Sequence, residues 1–522
     1  MAQTPTHKSP GGAVLVPIFA GTFIALLDLS IVIVALPTIQ TELHTDVAGA
    51  QWVVDAFVLP LGALLLSGGA LGDRYGRKRT FLGALAMFLA GSVMCATAAT
   101  LGVLLAGRVV QGIATAAILP GALSLVTQFE PDPRRRARLI GIWAMVSGLS
   151  FVLGPLVGGA LVDTLGWQAI FYVNVPIVLA AVAAGVRTIS ESADPDHASL
   201  DPIGQLTAAC ALGTLTYAVI EGRSHGWGSG LTIGLFAAAA LAAAALVRVE
   251  LANPRPMLPV RLLRDPRFAI VNTAALALGL GGNGAFFLLS LYLQQARGHS
   301  AFTTGLLTLP MTLAAIPGAK LAGNLTAEHG PRRPMLAGFT LTGAALLAMI
   351  AIGPDTAYLP IALLFALAGC GQGLAIPATM AAALEIVPRQ RSGVGSATVN
   401  AARQTGTVLG IAILGTILAN HIQSATAPAF SVAFVNGLQP GFLTAGLIVL
   451  ASAALLMAMP TTRREHTPTS PPAELLRGRT RAPAHNPRAD TPHHHDQHRL
   501  HHQAQPCPPD EAPSRPRWGR RT

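Results

Sequence analysis

Five ionisable side chains lie inside long apolar stretches of the sequence: Asp28, Asp55, Arg108, Lys320 and Arg403. The first three could do acid–base chemistry, whereas Lys320 is close to a helix end and is expected to reach the membrane surface. If these stretches cross a membrane, each charge costs at least about 2.5–3.5 kcal/mol and needs a partner or a water-filled cavity. Desolvation favours the protonated form of a carboxyl group and a nearby arginine favours the ionised form, which is the tuning that proton transport requires. A static ion pair is the alternative for Asp28 and Arg108, and solvation at the membrane surface is the alternative for Asp55.

Arg108 begins a polar stripe. Gln111, Gly112 and Thr115 follow it at three, four and seven residues, which places all four on one side of a helix that must contact protein or water. The same spacing recurs in a later apolar stretch, in Asn400, Arg403, Gln404 and Thr407. We expect Gln111, Thr115 and the second stripe to line a central cavity, although Arg403 is near enough to a helix end to reach the membrane surface instead.

Charge is concentrated in GALGDRYGRKRT, residues 69–80, between two apolar stretches. Glycines at positions 69 and 76 allow a tight turn and a close backbone approach. An aspartate there can pair with arginine or cap a helix. These features predict a latch that closes one side of the protein, formed by Gly69, Asp73, Arg74, Gly76 and Arg77. A simple topology signal is the alternative, and it leaves Asp73 without a role.

The composition is that of a polytopic membrane protein. The chain has 522 residues, of which 52% are hydrophobic and 11% charged, and its mean hydropathy is +0.53. A bilayer-spanning helix needs about 20 apolar residues, and about fourteen stretches have this length. They lie near 12–36, 50–72, 81–99, 103–126, 138–162, 168–186, 203–221, 229–247, 268–293, 304–326, 334–352, 357–383, 398–421 and 441–459.

The basic residues predict the orientation of these stretches. Alternate gaps contain eighteen lysines and arginines, whereas the gaps between them contain only Arg223 and Arg297. By the positive-inside rule the first set is cytoplasmic, so both termini are predicted to be cytoplasmic. Asp28 and Arg108 then lie at similar depth in the outer half of the membrane, which permits either a charge pair or a shared cavity. The net charge of +11 is therefore explained by topology, and nucleic-acid binding is not expected.

A weak internal repeat predicts the domain organisation. GALGDRYGRKR at 69–79 resembles GNLTAEHGPRR at 323–333, and the Gln-Gly pair at 111–112 matches that at 372–373. The repeat skips eight spans, which predicts two six-helix bundles with two inserted, lipid-facing helices between them. The predicted parts are a short cytoplasmic segment (1–11), the first bundle (12–190), the insert (203–247), the second bundle (268–459) and a disordered cytoplasmic tail rich in Pro, Arg and His (460–522).

The fifth stretch carries LGPLVGGALVD, with Gly154, Pro155, Gly158 and Gly159. Small residues at this spacing let helices approach closely, and the proline removes a backbone hydrogen bond and bends the helix. Constitutive tight packing and a hinge are both compatible with this motif.

Together these motifs identify a family. GALGDRYGRKRT resembles the signature loop of the major facilitator superfamily, and LGPLVGG resembles its antiporter motif. LLDLSIVIVALPTIQTEL, QWVVDAF, RVVQGIATAAILPGAL, GWQAIFYVNVPI and NAARQTGTVLGIAILGT are similar to the fourteen-span drug:proton antiporters, and the likeness covers residues 12–459. The resemblance implies proton-linked roles for Asp28 and Arg108, gating by Asp73 and Arg74, and an antiport-associated bend at Gly154 and Pro155.

Three positions depart from the family pattern. Ala327 replaces the aspartate in the second copy of the loop, Gly369 stands where the first bundle has Arg108, and Ser150 replaces a frequent glycine. The charged functions are therefore assigned to the first bundle alone.

The sequence predicts a proton-coupled exporter of an amphipathic drug or antibiotic in the bacterial plasma membrane. Its predicted partners are the drug, protons and the lipid bilayer, with a monomeric state and neither cofactor nor metal. A proton-coupled importer and a non-transporting receptor or scaffold are the alternatives. An enzyme is not expected, because the membrane region contains no catalytic triad, phosphate loop or metal-ligand spacing.

Overall fold

We describe a computed structural model of the chain. The described residues are 12–130, 132–193, 201–253, 260–388, 392–422 and 430–459. The predictions for the N-terminal segment (1–11) and the tail (460–522) lie outside them.

Fourteen helices in the described residues are long and apolar enough to cross a membrane, and no strand occurs in these ranges. We number them α1 to α14: Gly12–Glu42, Val47–Tyr75, Arg77–Ala96, Leu101–Phe129, Arg134–Leu165, Ala169–Thr188, Pro202–His225, Gly230–Ala252, Pro266–Ala296, Ala301–His329, Arg332–Ala351, Tyr358–Ile386, Gly393–Ile422 and Phe430–Met457. This confirms the predicted all-helical membrane fold.

Two helices differ in detail from the sequence prediction. The last helix begins at Phe430 rather than near residue 441, because Pro440 is accommodated inside it. α9 contains two π-helical segments, Gly279–Asn283 and Tyr292–Ala296. Such segments are rare inside α-helices and often occur at functional positions.

The helices form two six-helix bundles with the same internal packing. In the first bundle α2 packs on α4, α3 on α4, α1 on α5, and α6 on both α1 and α3. In the second bundle each of these pairs recurs eight helices later, as α10 on α12, α11 on α12, α9 on α13, and α14 on both α9 and α11. The spacing of eight helices is that of the sequence repeat.

Equivalent glycines make the helix crossings in both bundles. A Cβ atom added to Gly112 in α4 would overlap the backbone carbonyl of Phe57 in α2. A Cβ atom added to Gly373 in α12 would overlap the carbonyl of Ala315 in α10. Only glycine allows backbones to approach this closely.

The two inserted helices are not equivalent. α8 packs on α7 and is largely exposed, as expected of a lipid-facing helix. α7 also packs on α2 of the first bundle and on α13 of the second. Most of α7 is nevertheless not buried, as expected of a peripheral helix, and its composition does not indicate these two contacts.

The two bundles contact each other mainly at one end. The end that carries the basic loop around residues 73–79 is called the basic end below, and the opposite end is called the sealed end. At the sealed end Ser290 Oγ of α9 donates to Ile33 O of α1 at 3.1 Å, and Gln295 Nε2 donates to Gln40 Oε1 at 2.7 Å. Among the described residues, the hydrogen bonds that join one bundle directly to the other lie at this end.

Candidate functional site

A buried ion pair lies in the core of the first bundle. Arg108 Nη1 of α4 donates to Asp28 Oδ2 of α1, and both side chains are 0% exposed. Asp28 Oδ1 accepts from Gln111 Nε2 at 3.0 Å and from Asn174 Nδ2 at 2.8 Å. Every partner of the carboxylate is a hydrogen-bond donor, and one of them is the guanidinium of Arg108. The sequence left a charge pair and a shared cavity open, and this conformation has the pair.

The arginine of this pair is fixed on several sides. Its Nε donates to Val53 O at 3.1 Å and its Nη1 also donates to Gln111 Oε1 at 3.0 Å. The guanidinium lies 4.3 Å from the ring centroid of Phe57 and 5.9 Å from that of Phe171, in the range of cation–π attraction. Its Nη2 has no hydrogen-bond partner among the described residues.

Two members of this network were missed in the sequence. Asn174 of α6 donates to Asp28 and to Ser92 Oγ at 3.1 Å, and Ser92 of α3 also accepts from Gln111 at 2.9 Å. Both residues are fully buried. A polar residue inside the apolar stretch GWQAIFYVNVPI was the available signal for Asn174. The network joins α1, α3, α4 and α6, so a change at Asp28 acts on the packing of four helices.

Asp55 has the opposite surroundings. It is 0% exposed, yet neither carboxyl oxygen has a hydrogen-bond partner among the described residues. Gln51 and Gly62 lie on the same face of α2, four residues before it and seven after it, and this face contacts α13: Gln51 Nε2 donates to Ile411 O at 2.7 Å, and Gly62 lies against Gln404. Asp55 is therefore placed at the interface of the two bundles. A buried carboxylate without a partner is costly, so the site suits a neutral, protonated acid.

The polar stripe of α13 is divided between neighbours. Asn400 and Arg403 face a small cleft bounded by α9 and α12, and Arg403 Nη2 lies 3.4 Å from Asn400 Oδ1. Thr407 Oγ1 accepts from Asn283 Nδ2 of α9 at 2.9 Å, whereas Gln404 faces α2. One helical face thus meets two sets of neighbours and does not form a single wall in this conformation.

The first stripe is shielded as well. Gln111 and Thr115 are both 0% exposed. Gln111 belongs to the Asp28 network, and Thr115 Oγ1 donates to its own helix at Gln111 O, at 2.8 Å. Neither side chain reaches an open cavity in this conformation.

The predicted latch is held within its own bundle. Asp73 accepts from Arg77 Nη2 at 2.8 Å, one helical turn away. Arg74 is exposed, lies over the ring of Tyr75 at 5.6 Å, and has no ion-pair partner among the described residues. Gly69 lies against Pro120 of α4. The basic end is thus arranged with Arg74 available for a new partner.

A residue absent from the prediction holds the turn at Gly76. Glu191, which follows α6, accepts from the backbone N–H groups of Lys78 at 3.0 Å and Arg79 at 3.1 Å, at the first turn of α3. Gly76 has φ +104°, and a Cβ atom there would lie 2.7 Å from the Glu191 carboxylate. Glycine is required on both counts. Nothing in the local sequence indicates this contact, because 112 residues separate Arg79 from Glu191.

The glycines of the α5 motif serve two interfaces. Gly154 lies against Ser30 and Gly158 against Ile31, both in α1 of the same bundle. Gly159 lies against the backbone of α10 in the second bundle, at Ala301 and Phe302. The carbonyl of Pro155 lies beside Gly305 of α10. Gly154 and Gly158 thus contribute to packing inside the first bundle, whereas Pro155 and Gly159 contribute to packing between the bundles.

Asp163 completes this second interface, and it was also missed in the sequence. Its Oδ1 accepts from Ala301 N at 3.2 Å and its Oδ2 from Phe302 N at 3.0 Å. These N–H groups belong to the first turn of α10 and have no partner within that helix. An acidic side chain of one bundle therefore caps a helix of the other.

Comparison with known proteins identifies the family. A sequence model described as Major Facilitator Superfamily matches residues 18–411 and 271–487. The methylenomycin A resistance protein of Bacillus subtilis (strain 168) is 36% identical over 413 residues, which cover 79% of this chain and 88% of the relative. Multidrug resistance protein Stp of Mycobacterium tuberculosis (strain CDC 1551 / Oshkosh) is 35% identical over 410 residues, covering 78% and 76%. The tetracenomycin C resistance and export protein of Streptomyces glaucescens is 31% identical over 435 residues, covering 80% and 81%.

Solved structures show the same fold. The nucleoside transporter NupG superposes with a TM-score of 0.61 at 12% identity, over 86% of this chain and 100% of that chain. A bacterial homolog of the human lysosomal transporter Spinster, inward-facing and unoccupied, gives 0.59 at 19% identity over 88% and 98%. At these identities the likeness concerns the fold alone. With the sequence matches, the fourteen spanning helices and the two-bundle architecture, the chain belongs to the Major Facilitator Superfamily and is a multi-pass membrane transporter.

Proposed function

We propose that the protein exports an amphipathic small molecule, of the drug or antibiotic class, in exchange for protons. The observation that carries the proposal is the contrast between two buried carboxyl groups in one bundle. Asp28 is bonded only to donors, whereas Asp55 has no partner among the described residues. The sequence relatives named for antibiotic resistance and export support the substrate class.

Asp55 is proposed as the group that carries the proton in this conformation. It lies in the part of α2 that packs on α13 near the sealed end. Separation of the bundles there would expose Asp55 to water on that side and allow it to exchange its proton. For exchange with an exported drug, the proton must be taken up from that side and released toward the basic end after the bundles have closed again. Protonation of Asp55 would therefore be coupled to closure of the interface that buries it.

Asp28 is proposed as the second proton-linked group. Its ion pair with Arg108 joins helices of one bundle, so protonation would weaken a contact on which the packing of that bundle depends. Asn174 and Gln111 position the carboxylate through its Oδ1 atom.

With the basic end in the cytoplasm, as the positive-inside rule predicts, the sealed end faces outward. The conformation described here is then one that receives the drug from the inner side. Closure of the basic end would bring the latch of Gly69, Asp73, Arg74, Gly76 and Arg77 against the second bundle. Arg74 is exposed and without an ion-pair partner among the described residues, and is therefore proposed as the residue that makes this contact. Each proton that moves down a potential of about 100 mV supplies about 2.3 kcal/mol to this cycle.

The test is drug uptake by inverted membrane vesicles with an imposed inside-acid pH gradient. A panel of hydrophobic drugs is compared for the wild type, Asp28→Asn and Asp55→Asn, with Asp132→Asn as control. Asp132 is an exposed aspartate that caps α5 within its own bundle. Gradient-dependent uptake that is lost in the first two variants and kept in the control is expected. Gradient-driven uptake that survives both substitutions would remove the proton assignment, and uptake unaffected by the gradient would remove antiport.

A further inference from the structure

The two bundles meet along two lateral seams, and the described helices cover these seams to different extents. One seam runs between α2 and α13, and the other between α5 and α10. A molecule dissolved in the bilayer can reach a central cleft only through one of these seams. Their coverings therefore decide the route by which a substrate arrives.

α7 covers the α2–α13 seam. Near the sealed end Trp52 Nε1 of α2 donates to Glu221 Oε1 of α7 at 3.1 Å, and Thr416 Oγ1 of α13 donates to Val219 O of α7 at 3.2 Å. Toward the basic end Gln205 of α7 donates to Ser67 of α2. α7 thus follows α2 along most of its length and touches the facing helix of the other bundle.

The α5–α10 seam is closed only near the sealed end. There Gly159 and Gly305 bring the two backbones together, and Asp163 caps the first turn of α10. Among the described helices none beyond α5 and α10 covers this seam, since α8 packs on α7 and the other twelve belong to the two bundles.

Toward the basic end both helices of this seam are uncovered. In α5 between Arg134 and Leu153, Ser150 is the only buried residue among those whose side chains are described. The covered strip faces α1, where Trp143 Nε1 donates to Thr22 Oγ1 at 3.0 Å. In α10 between Met311 and His329, only Gly318 and Ala322 are buried. A helix covered along a single strip has one free face toward lipid and another toward the cleft.

The uncovered surfaces are apolar. Met145 and Leu149 of α5 are 70% and 48% exposed, and Leu313 and Ile316 of α10 are 49% and 57% exposed. No Asp, Glu, Lys or Arg occurs in residues 139–162 of α5 or 301–319 of α10. Such a passage is costly for an ion and favourable for a molecule that partitions into lipid.

We propose that the substrate enters the cleft sideways from the bilayer through the α5–α10 seam, while α7 blocks the corresponding route at the α2–α13 seam. The substrate class is accordingly a lipid-partitioning, largely apolar molecule. This inference deepens the proposed export function and rests on it for the direction of transport.

The first test narrows the passage. Leu149→Trp and Ile316→Trp are combined in one variant, and Leu241→Trp on α8, which is 71% exposed, serves as the lipid-facing control. The readout is the initial rate of gradient-driven uptake of a fluorescent lipid-partitioning drug. We expect the double variant to be slower by about tenfold, which corresponds to about 1.4 kcal/mol in the barrier, with the control unchanged. A double variant with wild-type rate, in vesicles where the wild type transports, would overturn the passage and leave the export function standing.

A second test does not depend on transport. Leu149→Cys, Ile316→Cys and Leu241→Cys are made singly in a chain whose native cysteines are replaced, including the exposed Cys210. Each is treated with a bilayer-dissolved maleimide and with a membrane-impermeant maleimide applied from the basic side. Positions 149 and 316 are expected to react with both reagents and position 241 only with the first. Reaction of 149 and 316 with the bilayer reagent alone would show that they face only lipid and would overturn the inference, whatever the uptake experiment gives.

Discussion

Replacement of Asp163 should loosen the sealed end selectively. The carboxylate accepts two backbone hydrogen bonds across the interface, at 3.2 Å and 3.0 Å. Asp163→Ala removes both and leaves two N–H groups at the start of α10 without a partner. Loss of an N-cap costs about 0.5–2 kcal/mol. Because each 1.4 kcal/mol is tenfold in an equilibrium constant, this cost shifts the equilibrium by a factor of about 2–30. The population with the sealed end open should rise by about that factor.

The assay is a distance measurement between spin labels on the two sides of this interface. Leu165 in α5 and Phe302 in α10 are 71% and 38% exposed, so both accept a label. Asp163→Ala should add a longer-distance population that the unsubstituted chain lacks or contains at a lower level. Asp132→Ala is the matched control, because Asp132 accepts from Arg134 N at 2.9 Å and caps α5 without crossing between bundles. An unchanged distance distribution in Asp163→Ala, or an equal shift in both variants, would refute the reasoning.

Three further outcomes follow from the site. Arg108→Gln leaves the Asp28 carboxylate buried with fewer donors and should lower the free energy of unfolding by about 3–5 kcal/mol, measured as a reduced Tm of the purified protein. Adding Asp28→Asn should recover part of this loss. A double variant no more stable than the single one would contradict the pairing. Gly373→Ala should lower the Tm, because the added Cβ would overlap the carbonyl of Ala315 in α10. Gly323→Ala should leave the Tm unchanged, because the space around its Cβ position is open. Equal Tm values for the two variants would argue against the close helix crossing. Glu191→Gln weakens the cap on α3 by removing the carboxylate charge, which is worth about 0.3–1 kcal/mol. The substitution should reduce the drug uptake rate without altering the Tm by more than a few degrees. An unchanged uptake rate would show that the turn at Gly76 is held without the charge of Glu191.

Much of the fold could be predicted from the sequence because a bilayer imposes a length and a composition on each helix. The contacts of the site join residues that are far apart in the sequence, and no local sequence pattern indicates such contacts. Asp28 and Asn174 are 146 residues apart, and neither has a neighbour in sequence that indicates the other. The stripe at 400–407 shows the limit of helical spacing, since it places residues on one face but does not say which helices that face meets. Gln404 faces α2, while Arg403 faces α9 and α12.

Asp55 illustrates a further limit. Its type and position could be read from QWVVDAF, but its lack of a hydrogen-bond partner among the described residues could be seen only once α13 was placed against α2. A group that is defined by missing contacts has no signature in sequence, since the missing contacts are a property of its neighbours.

The attachment of α7 constrains how the two bundles rock against each other. Its side chains hold α2 near both ends, through Glu221 and Gln205, whereas its hydrogen bond to Thr416 of α13 is made by a backbone carbonyl, Val219 O. We expect α7 and α8 to move together with the first bundle, while α13 slides along the surface of α7 during the transport cycle. The inserted pair would then restrict the relative motion of the two bundles on one side. The axis of the rocking motion would lie close to α2 and α13, and the largest displacement would occur on the opposite side of the protein.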